Sequence, residues 1–217
     1  MIYKLKYLLE EKGYIRGPFG SALKRGELQT QGIPVYEQQN AINNNRNFRY
    51  FINEETYKKL KRFTVKPNDL VISCSGTVGK ITLIKPNDPI GIISQALLIL
   101  RPDITKVIPE FLFYFFNSSK GYNSIISRSS GSVQVNIAKR AIIEEIEIEL
   151  PSIPEQERIV QVLNSIDNKF AINTEMNKTL FEFSAAIFKH WFVDYEFPNK
   201  DDLPYKTSGG KFVESKL

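Results

Sequence analysis

Cysteine, histidine and tryptophan occur once each in the 217 residues, as Cys74, His190 and Trp191, and methionine only twice. One thiol closes no internal disulfide, and one thiol plus one imidazole assemble no zinc site of Cys and His ligands. Cys74 ends the stretch Leu70-Val-Ile-Ser-Cys74 and reads as a small core residue, while packing or surface exposure on a helix accounts for His190. Long apolar runs are missing too. Ala96 to Leu100 and Phe111 to Phe116 are the longest, far short of the roughly 20 residues that cross a bilayer. At the start, Lys4 and Lys6 precede only Leu8 and Leu9 before Glu10, Glu11 and Lys12 interrupt, so no secretory apolar region forms. These absences predict a soluble, cytoplasmic protein with no membrane partner.

Nucleotide and catalytic signatures are also lacking. Gly76-Thr-Val-Gly-Lys-Ile81 is too short between its glycines for a phosphate-binding P-loop and lacks the hydroxyl residue after the lysine. No Gly-x-Gly-x-x-Gly and no Pro-Pro-Tyr loop of an amino-methyltransferase occurs. Asp69, Asp88 and Asp103 sit beside proline or asparagine, where turn chemistry explains them. The chain is expected to be non-catalytic and to hold no metal or cofactor.

What is present is a globular composition, 42% hydrophobic and 24% charged, and an uneven charge. Residues 1–128 carry 19 Lys plus Arg against 10 Asp plus Glu, a net +9, whereas residues 129–217 carry 10 against 14, a net −4. A basic excess on one globular unit suits a phosphate backbone, because each neutralised phosphate releases counterions. Glu145, Glu147 and Glu149 alternate with Ile146, Ile148 and Leu150, the period of a half-buried strand with an acidic outer face.

From 33 to 100 the signals are mostly strand: Ile33-Pro-Val-Tyr36, Leu70–Cys74, Lys80–Ile84 and Ile92–Leu100, punctuated by two copies of Lys-Pro-Asn-Asp at 66–69 and 85–88. Glu54–Phe63 and Pro109–Asn117 predict short helices. Residues 1–150 thus form a mixed sheet-and-helix domain. After Leu150 the pattern changes. Pro151-Ser-Ile-Pro-Glu opens a segment without further proline or glycine until Pro198, with Ser152 and Glu155 at capping-box spacing, so a helix of about 40 residues is expected over 151–195. Steps of four and three from Ile159 reach Leu163, Ile166, Phe170, Asn173, Asn177, Leu180, Ser184, Ile187 and Trp191, a seam apolar at seven of ten positions with a polar middle. Such a helix either folds back on its own domain or pairs with an equivalent partner, Asn173 and Asn177 then fixing register.

Three loops combine glycine, hydroxyls and positive charge: Arg16–Arg25, Ser73–Lys80 and Ser127–Gln134. Their donors suit phosphate contacts. The amide-rich runs Glu37–Asn40 and Asn43–Arg49 offer base-edge readers or are ordinary turn-rich surface.

With these features in order, the chain resembles the DNA-specificity (S) subunit of type I restriction-modification enzymes. The resemblance rests on Gly17-Pro-Phe-Gly-Ser21, Gly32-Ile-Pro-Val35 with Gln38–Asn40, Asp69-Leu-Val-Ile-Ser73 with Ser75-Gly-Thr-Val-Gly79, Ser94-Gln-Ala96, Leu150-Pro-Ser-Ile-Pro-Glu-Gln-Glu-Arg-Ile159 and Ala186-Ile-Phe-Lys-His-Trp-Phe-Val-Asp194. It implies an α+β fold: a target recognition domain over 1–150 that reads half of a split double-stranded DNA site, then a long projecting helix that pairs antiparallel as a coiled coil. Residues 196–217 correspond to a tail, or to a joint toward a second half. Carried over by position as DNA-binding are Arg16, Ser21, Lys24, Arg25, Gln38, Gln39, Asn40, Ser75, Gly76, Thr77, Lys80, Arg128, Ser130 and Gln134. Ile159, Leu163, Ile166, Phe170, Leu180, Ile187 and Trp191 carry over as helix-pairing. Methylation subunits carrying S-adenosylmethionine, and a restriction subunit using ATP and Mg, are the implied partners. S subunits of the usual size hold two domains and two helices, so this chain corresponds to half, and a homodimer or a second half subunit is implied. The competing readings are a scaffold or inhibitory partner of methylases that does not read DNA, or a stand-alone DNA-modifying enzyme.

Overall fold

The computed structural model describes residues 1–19, 22–128, 136–137 and 139–212. Ser21, Ser130 and Gln134 therefore lie outside the described residues. Two compact units divide the chain, Met1–Val162 and Leu163–Leu217.

The first unit is built on a four-stranded antiparallel sheet in the order β2 (Leu9–Arg16), β8 (Leu97–Pro102), β5 (Leu70–Ser73) and β6 (Ile81–Leu83). A second sheet runs β4 (Phe51–Ile52), β3 (Ile33–Tyr36), β7 (Ile92–Ile93), with β3 and β7 parallel. A two-stranded ribbon joins β1 (Ile2–Lys4) to β9 (Glu147–Glu149). The expected strand over 92–100 is two strands in different sheets, because the chain turns at Ser94–Ala96, where the Leu97 N–H bonds the Ser94 carbonyl at 3.2 Å.

Strand periodicity decides the core. In β5 and β8 successive side chains point to opposite faces, and both faces are covered. Leu70, Ile72, Leu98 and Leu100 pack with Phe111, Leu112 and Phe116 of α3 (Pro109–Asn117) and Ile125 of α4 (Ser119–Ile126). Val71, Leu97 and Ile99 pack with Tyr36, Ile52, Ile92 and Ile93 of the second sheet and with Leu60 of α2 (Glu54–Leu60). Cys74 is fully buried, and that burial pushes its thiol up to about 12.

Both Lys-Pro-Asn-Asp copies form the same turn. Asp69 and Asp88 accept from the N–H of Lys66 and Lys85, each at 2.7 Å, and each carboxylate also grips an arginine. Asp69, wholly buried, holds Arg101 through two bonds of 2.7 and 2.8 Å. Burial pushes its carboxyl up, while the guanidinium and the Lys66 N–H pull it down. Removing one partner strands the other's buried charge. Asp69→Ala is therefore expected to lower unfolding stability by about 3–5 kcal/mol in urea titration, whereas Asp103→Ala, on a carboxylate bonded among the described residues within its own turn, should change it far less.

The alternating segment forms as expected: Ile146, Ile148 and Leu150 are buried, while Glu147 and Glu149 face out. Glu145 is clamped by Lys4 and Lys6, both at 2.6 Å, and these bonds hold its carboxyl down at about 2. A depressed carboxylate stabilises the fold above its ordinary value of 4.5 and loses that contribution as pH falls through about 2. Glu145→Gln should flatten the acid limb of the stability–pH curve between those values, measured by thermal melts.

The predicted long helix is present as α6 (Ile153–Phe188), continued by a wider turn over Lys189–Val193. At its start the Ser152 N–H and hydroxyl both donate to the Glu155 carboxylate, at 3.0 and 2.8 Å. Its first turns belong to the first unit, which runs past Leu150. Gln156 is fully buried, accepts from the Ile108 N–H at 3.0 Å and donates to the Pro151 carbonyl at 3.0 Å, and Val160 is buried. In the second unit the residues after the helix form an aromatic knot. Phe197 stacks on Tyr205 at 4.7 Å, Phe212 meets Tyr195 and Tyr205 edge-on, and the Tyr205 N–H bonds the Phe197 carbonyl at 3.0 Å.

Candidate nucleic-acid interface

Four chain segments deliver the candidate residues to one region of the first unit. Arg16 closes β2, Gln38 opens α1 (Gln38–Ile42), the 74–80 loop leaves β5, and the Ser94–Ala96 turn enters β8. Their meeting follows from the sheet, since Arg16 pairs with Leu98 and Ser73 with Leu97 across β8. Gly17 seats the first loop: its N–H bonds the Leu97 carbonyl at 2.9 Å, and an added side chain would lie 2.0 Å from the Ser94 carbonyl oxygen. Gly17 and Ser94-Gln-Ala96 are thus two sides of one contact.

Between these segments lies a cleft of about 510 Å³ lined by Arg16, Phe19, Gln38, Ser75, Gly76, Gln95, Ala96 and Asn136. The Arg16 guanidinium lies 5.8 Å from the Phe19 ring, and its Nη1 is buried with no hydrogen-bond partner among the described residues. The Gln38 carboxamide donates to the Ser75 carbonyl and, at 3.2 Å, to the Thr77 carbonyl, fixing the loop that carries Ser75, Gly76 and Thr77. Gly76 has φ +67°, and open space surrounds its missing side chain. Loop and helix also meet: Lys80 Nζ lies 5.0 Å from the Tyr122 ring on α4, and Gly79 abuts the same ring. Just past that helix Arg128 is exposed, one of its nitrogens donating to the Ser124 carbonyl at 2.8 Å. Next to the 74–80 loop, the Ile137 N–H bonds the Cys74 carbonyl at 2.9 Å.

Arg16, Gln38, Ser75 and Gly76 therefore line one cleft, with Thr77, Lys80 and Arg128 on the loop and helix beside it. Lys24 and Arg25 are exposed on a separate short helical turn, and Gln39 is exposed with a weak 3.4 Å bond to the Asn47 carbonyl. Asn40 requires correction. It is 1% exposed, its oxygen accepts from the Glu37 N–H at 2.8 Å, and its nitrogen donates to Asn45 and, at 3.0 Å, to the Asn47 carbonyl. Asn40 holds the loop rather than facing outward. In the second amide-rich run Arg46 turns inward, while Asn43, Asn44, Asn47 and Arg49 are exposed. Arg46 bonds Asp88 at 2.5 Å and the Leu83 carbonyl at 2.8 Å, and Arg49 pairs with Glu37 at 2.8 Å. Phe19, Gln95, Asn136 and Tyr122 were not singled out from sequence as contact residues. The first two stand inside quoted motifs, and nothing local marks the others.

Among the described residues, no group of three or more His, Cys, Asp or Glu side chains is arranged to hold a metal ion, and no helix is long and apolar enough to cross a membrane.

A family model described as the type I restriction modification DNA specificity domain matches residues 19–181, most of the chain. The chain belongs to that family. The specificity subunit of the HindI type I restriction enzyme from Haemophilus influenzae is 28% identical over 107 residues, 48% of this chain and 23% of that protein. The MjaIX specificity subunit from Methanocaldococcus jannaschii is 27% identical over 175 residues, 77% of this chain and 39% of that protein. Among solved structures, an S subunit from M. genitalium superposes with a TM-score of 0.58 at 17% identity, covering 88% of this chain and 48% of that one. The HsdS subunit from Thermoanaerobacter tengcongensis gives 0.56 at 18% identity, covering 79% and 38%. The chain spans less than half the length of each of these specificity-domain relatives. Family motifs now have physical roles: Gly17 admits the Ser94 carbonyl, and Glu155 and Gln156 of the Pro-Glu-Gln segment cap the helix and dock it.

Asn40→Ala should behave as a structural substitution, removing the buried side chain that bonds the Glu37 N–H and the Asn47 carbonyl. We expect a loss of about 1–3 kcal/mol in chemical unfolding, with any DNA affinity that remains keeping its dependence on salt.

Proposed function

We propose that this chain is a non-catalytic specificity subunit that reads one half of a bipartite duplex DNA target in the cytoplasm. Its helix pairs antiparallel with that of an equivalent half, and the frame so formed scaffolds methylation subunits and, through them, a restriction subunit. S-adenosylmethionine, ATP and Mg belong to those partners. The observation that carries the reading is the convergence of separate sequence segments on one glycine- and amide-lined cleft. Arg16 and Gln38 line it, Lys80 ends the loop that supplies Ser75 and Gly76, and Arg128 is exposed just past the helix against which that loop packs. Glycine and hydroxyl residues let backbone donors approach phosphates, while Arg and Gln side chains supply base-edge contacts. The acidic outer face of β9 belongs to the ribbon formed with β1, outside these loops.

Selection of duplexes from a random pool by the full chain together with a methylation subunit tests this. We expect enrichment of a split motif, and a pool that stays random would sink the reading. Binding should weaken steeply with salt, each neutralised phosphate adding about 0.9 to the log–log slope. Lys24→Ala, Arg25→Ala and Arg128→Ala should each weaken binding to all sequences alike and reduce that slope by about 1, whereas Arg16→Ala should also relax base preference.

A further inference from the structure

A net +4 of the +9 carried by residues 1–128 lies away from the cleft. Residues 22–30 and 54–66 hold seven Lys and Arg against three Glu, and all seven cations are exposed. Lys59 is spent on Glu55 at 2.7 Å. Among the described residues no ion pair holds the other six, Lys24, Arg25, Lys58, Lys61, Arg62 and Lys66. A helix C-terminus favours cations in its last turn, which accounts for Lys58 and Lys59 on α2. It does not account for Arg62 and Lys66 beyond that helix, nor for Lys24 and Arg25 on another segment.

The fold sets the two segments side by side. Gln29 and Phe51 exchange backbone hydrogen bonds of 2.8 and 3.0 Å, and the chain runs from Phe51 through Ile52 into α2 at Glu54. The Glu27 carboxylate lies within electrostatic range of Lys59, and Leu28 and Tyr57 pack on the same core. This patch stands at the opposite end of β3 from the cleft. Ile33, the first residue of β3, pairs with Ile52 just ahead of α2, whereas Gln38 in the cleft follows Tyr36 at its other end. Four strand residues at about 3.3 Å each separate the two ends by about 13 Å, which is about four base pairs of duplex at 3.4 Å per step. Lysine and arginine in such a place neutralise phosphates without specifying sequence.

We propose that this patch is a second duplex-binding surface, which grips the phosphate backbone about four base pairs or more outside the bases read in the cleft. It rests on the reading that the unit binds duplex DNA, and adds to it a surface that carries affinity and no sequence preference.

The test uses the full chain with a methylation subunit and two duplexes bearing the selected motif, one flanked by a full helical turn on each side and one trimmed to the motif. The triple variant Lys58→Ala, Lys61→Ala, Arg62→Ala should melt like the wild type, because the three side chains are exposed. Its base preference should be unchanged, while its log–log salt slope on the long duplex should be shallower by about 2.7. Between about 50 and 200 mM salt the wild type should therefore lose about 40-fold more affinity than the variant. On the trimmed duplex the two proteins should agree. Equal slopes on the long duplex overturn the proposal, and so does wild-type affinity that is indifferent to trimming, a measurement that needs no variant. Loss of the methylation subunit with the DNA slope unchanged assigns the patch to an acidic protein surface and overturns it too. The two readings fail separately. A selected pool that stays random while the slopes differ on long random duplexes removes target reading and leaves the phosphate surface standing, and a split motif with equal slopes does the reverse.

Discussion

Everything in the first unit is referred to two strands that have no face left for water. β5 and β8 are hydrogen-bonded along Leu70–Ser73 and Leu97–Leu100, and alternate side chains of each strand enter opposite cores. A one-residue slip of this pair would exchange the two hydrophobic sets, so both cores hold the register at once. The segments that leave these strands inherit that fixity. The 74–80 loop follows β5, the 94–96 turn precedes β8, and Arg16 ends the strand on the other side of β8. A cleft made of irregular backbone therefore has rigid walls at its roots.

The same framework holds several cations in ion pairs. Among the 19 Lys and Arg of residues 1–128, Arg101 and Arg46 are each held by the aspartate of a Lys-Pro-Asn-Asp turn, Arg49 by Glu37, and Lys4 and Lys6 by Glu145. Exposed and outside these pairs are Lys24, Arg25, Lys80 and Arg128 of the glycine-containing loops, and equally Lys12, Lys58, Lys61, Arg62, Lys66 and Lys85 elsewhere on the unit. Because a pair within residues 1–128 removes one charge of either sign, the excess survives it and is spread over the unit as well as over the loops.

Legibility in the sequence followed the strength of local periodicity. The ribbon strand at Glu147–Glu149, the helices at Glu54 and Pro109, the Lys-Pro-Asn-Asp turns and the long helix all have side-chain patterns that only one element satisfies. β2 was not legible. Its pairing shifts between Leu9 and Tyr14, and Gly13 packs against the Arg101 carbonyl, so the irregularity erases the alternation. The break at Ser94–Ala96 was hidden because apolar residues flank it on both sides, and only tertiary pairing sends β7 and β8 to different sheets. At the site, loop composition pointed to the right segments but not to orientation. Asn40 and Arg46 have the chemistry of base readers, and the direction in which their side chains turn is set by partners at Asn45, Asn47, Leu83 and Asp88 that no local pattern encodes.

The long helix poses the opposite problem, too much apolar surface rather than too little signal. In a two-stranded pair the positions flanking the seam are commonly charged, yet Val162, Met176, Phe181, Phe183 and Phe188 occupy them and are exposed. Covering the seam with one further helix leaves these side chains at the border of the pair. The polar middle adds a cost, since amides such as Asn173 and Asn177 in a seam weaken any two-helix contact made there. An additional protein surface laid along the flanks would bury the remaining aromatics and supply the missing stabilisation. A helix with this much exposed hydrocarbon therefore calls for cover on its flanks as well as on its seam.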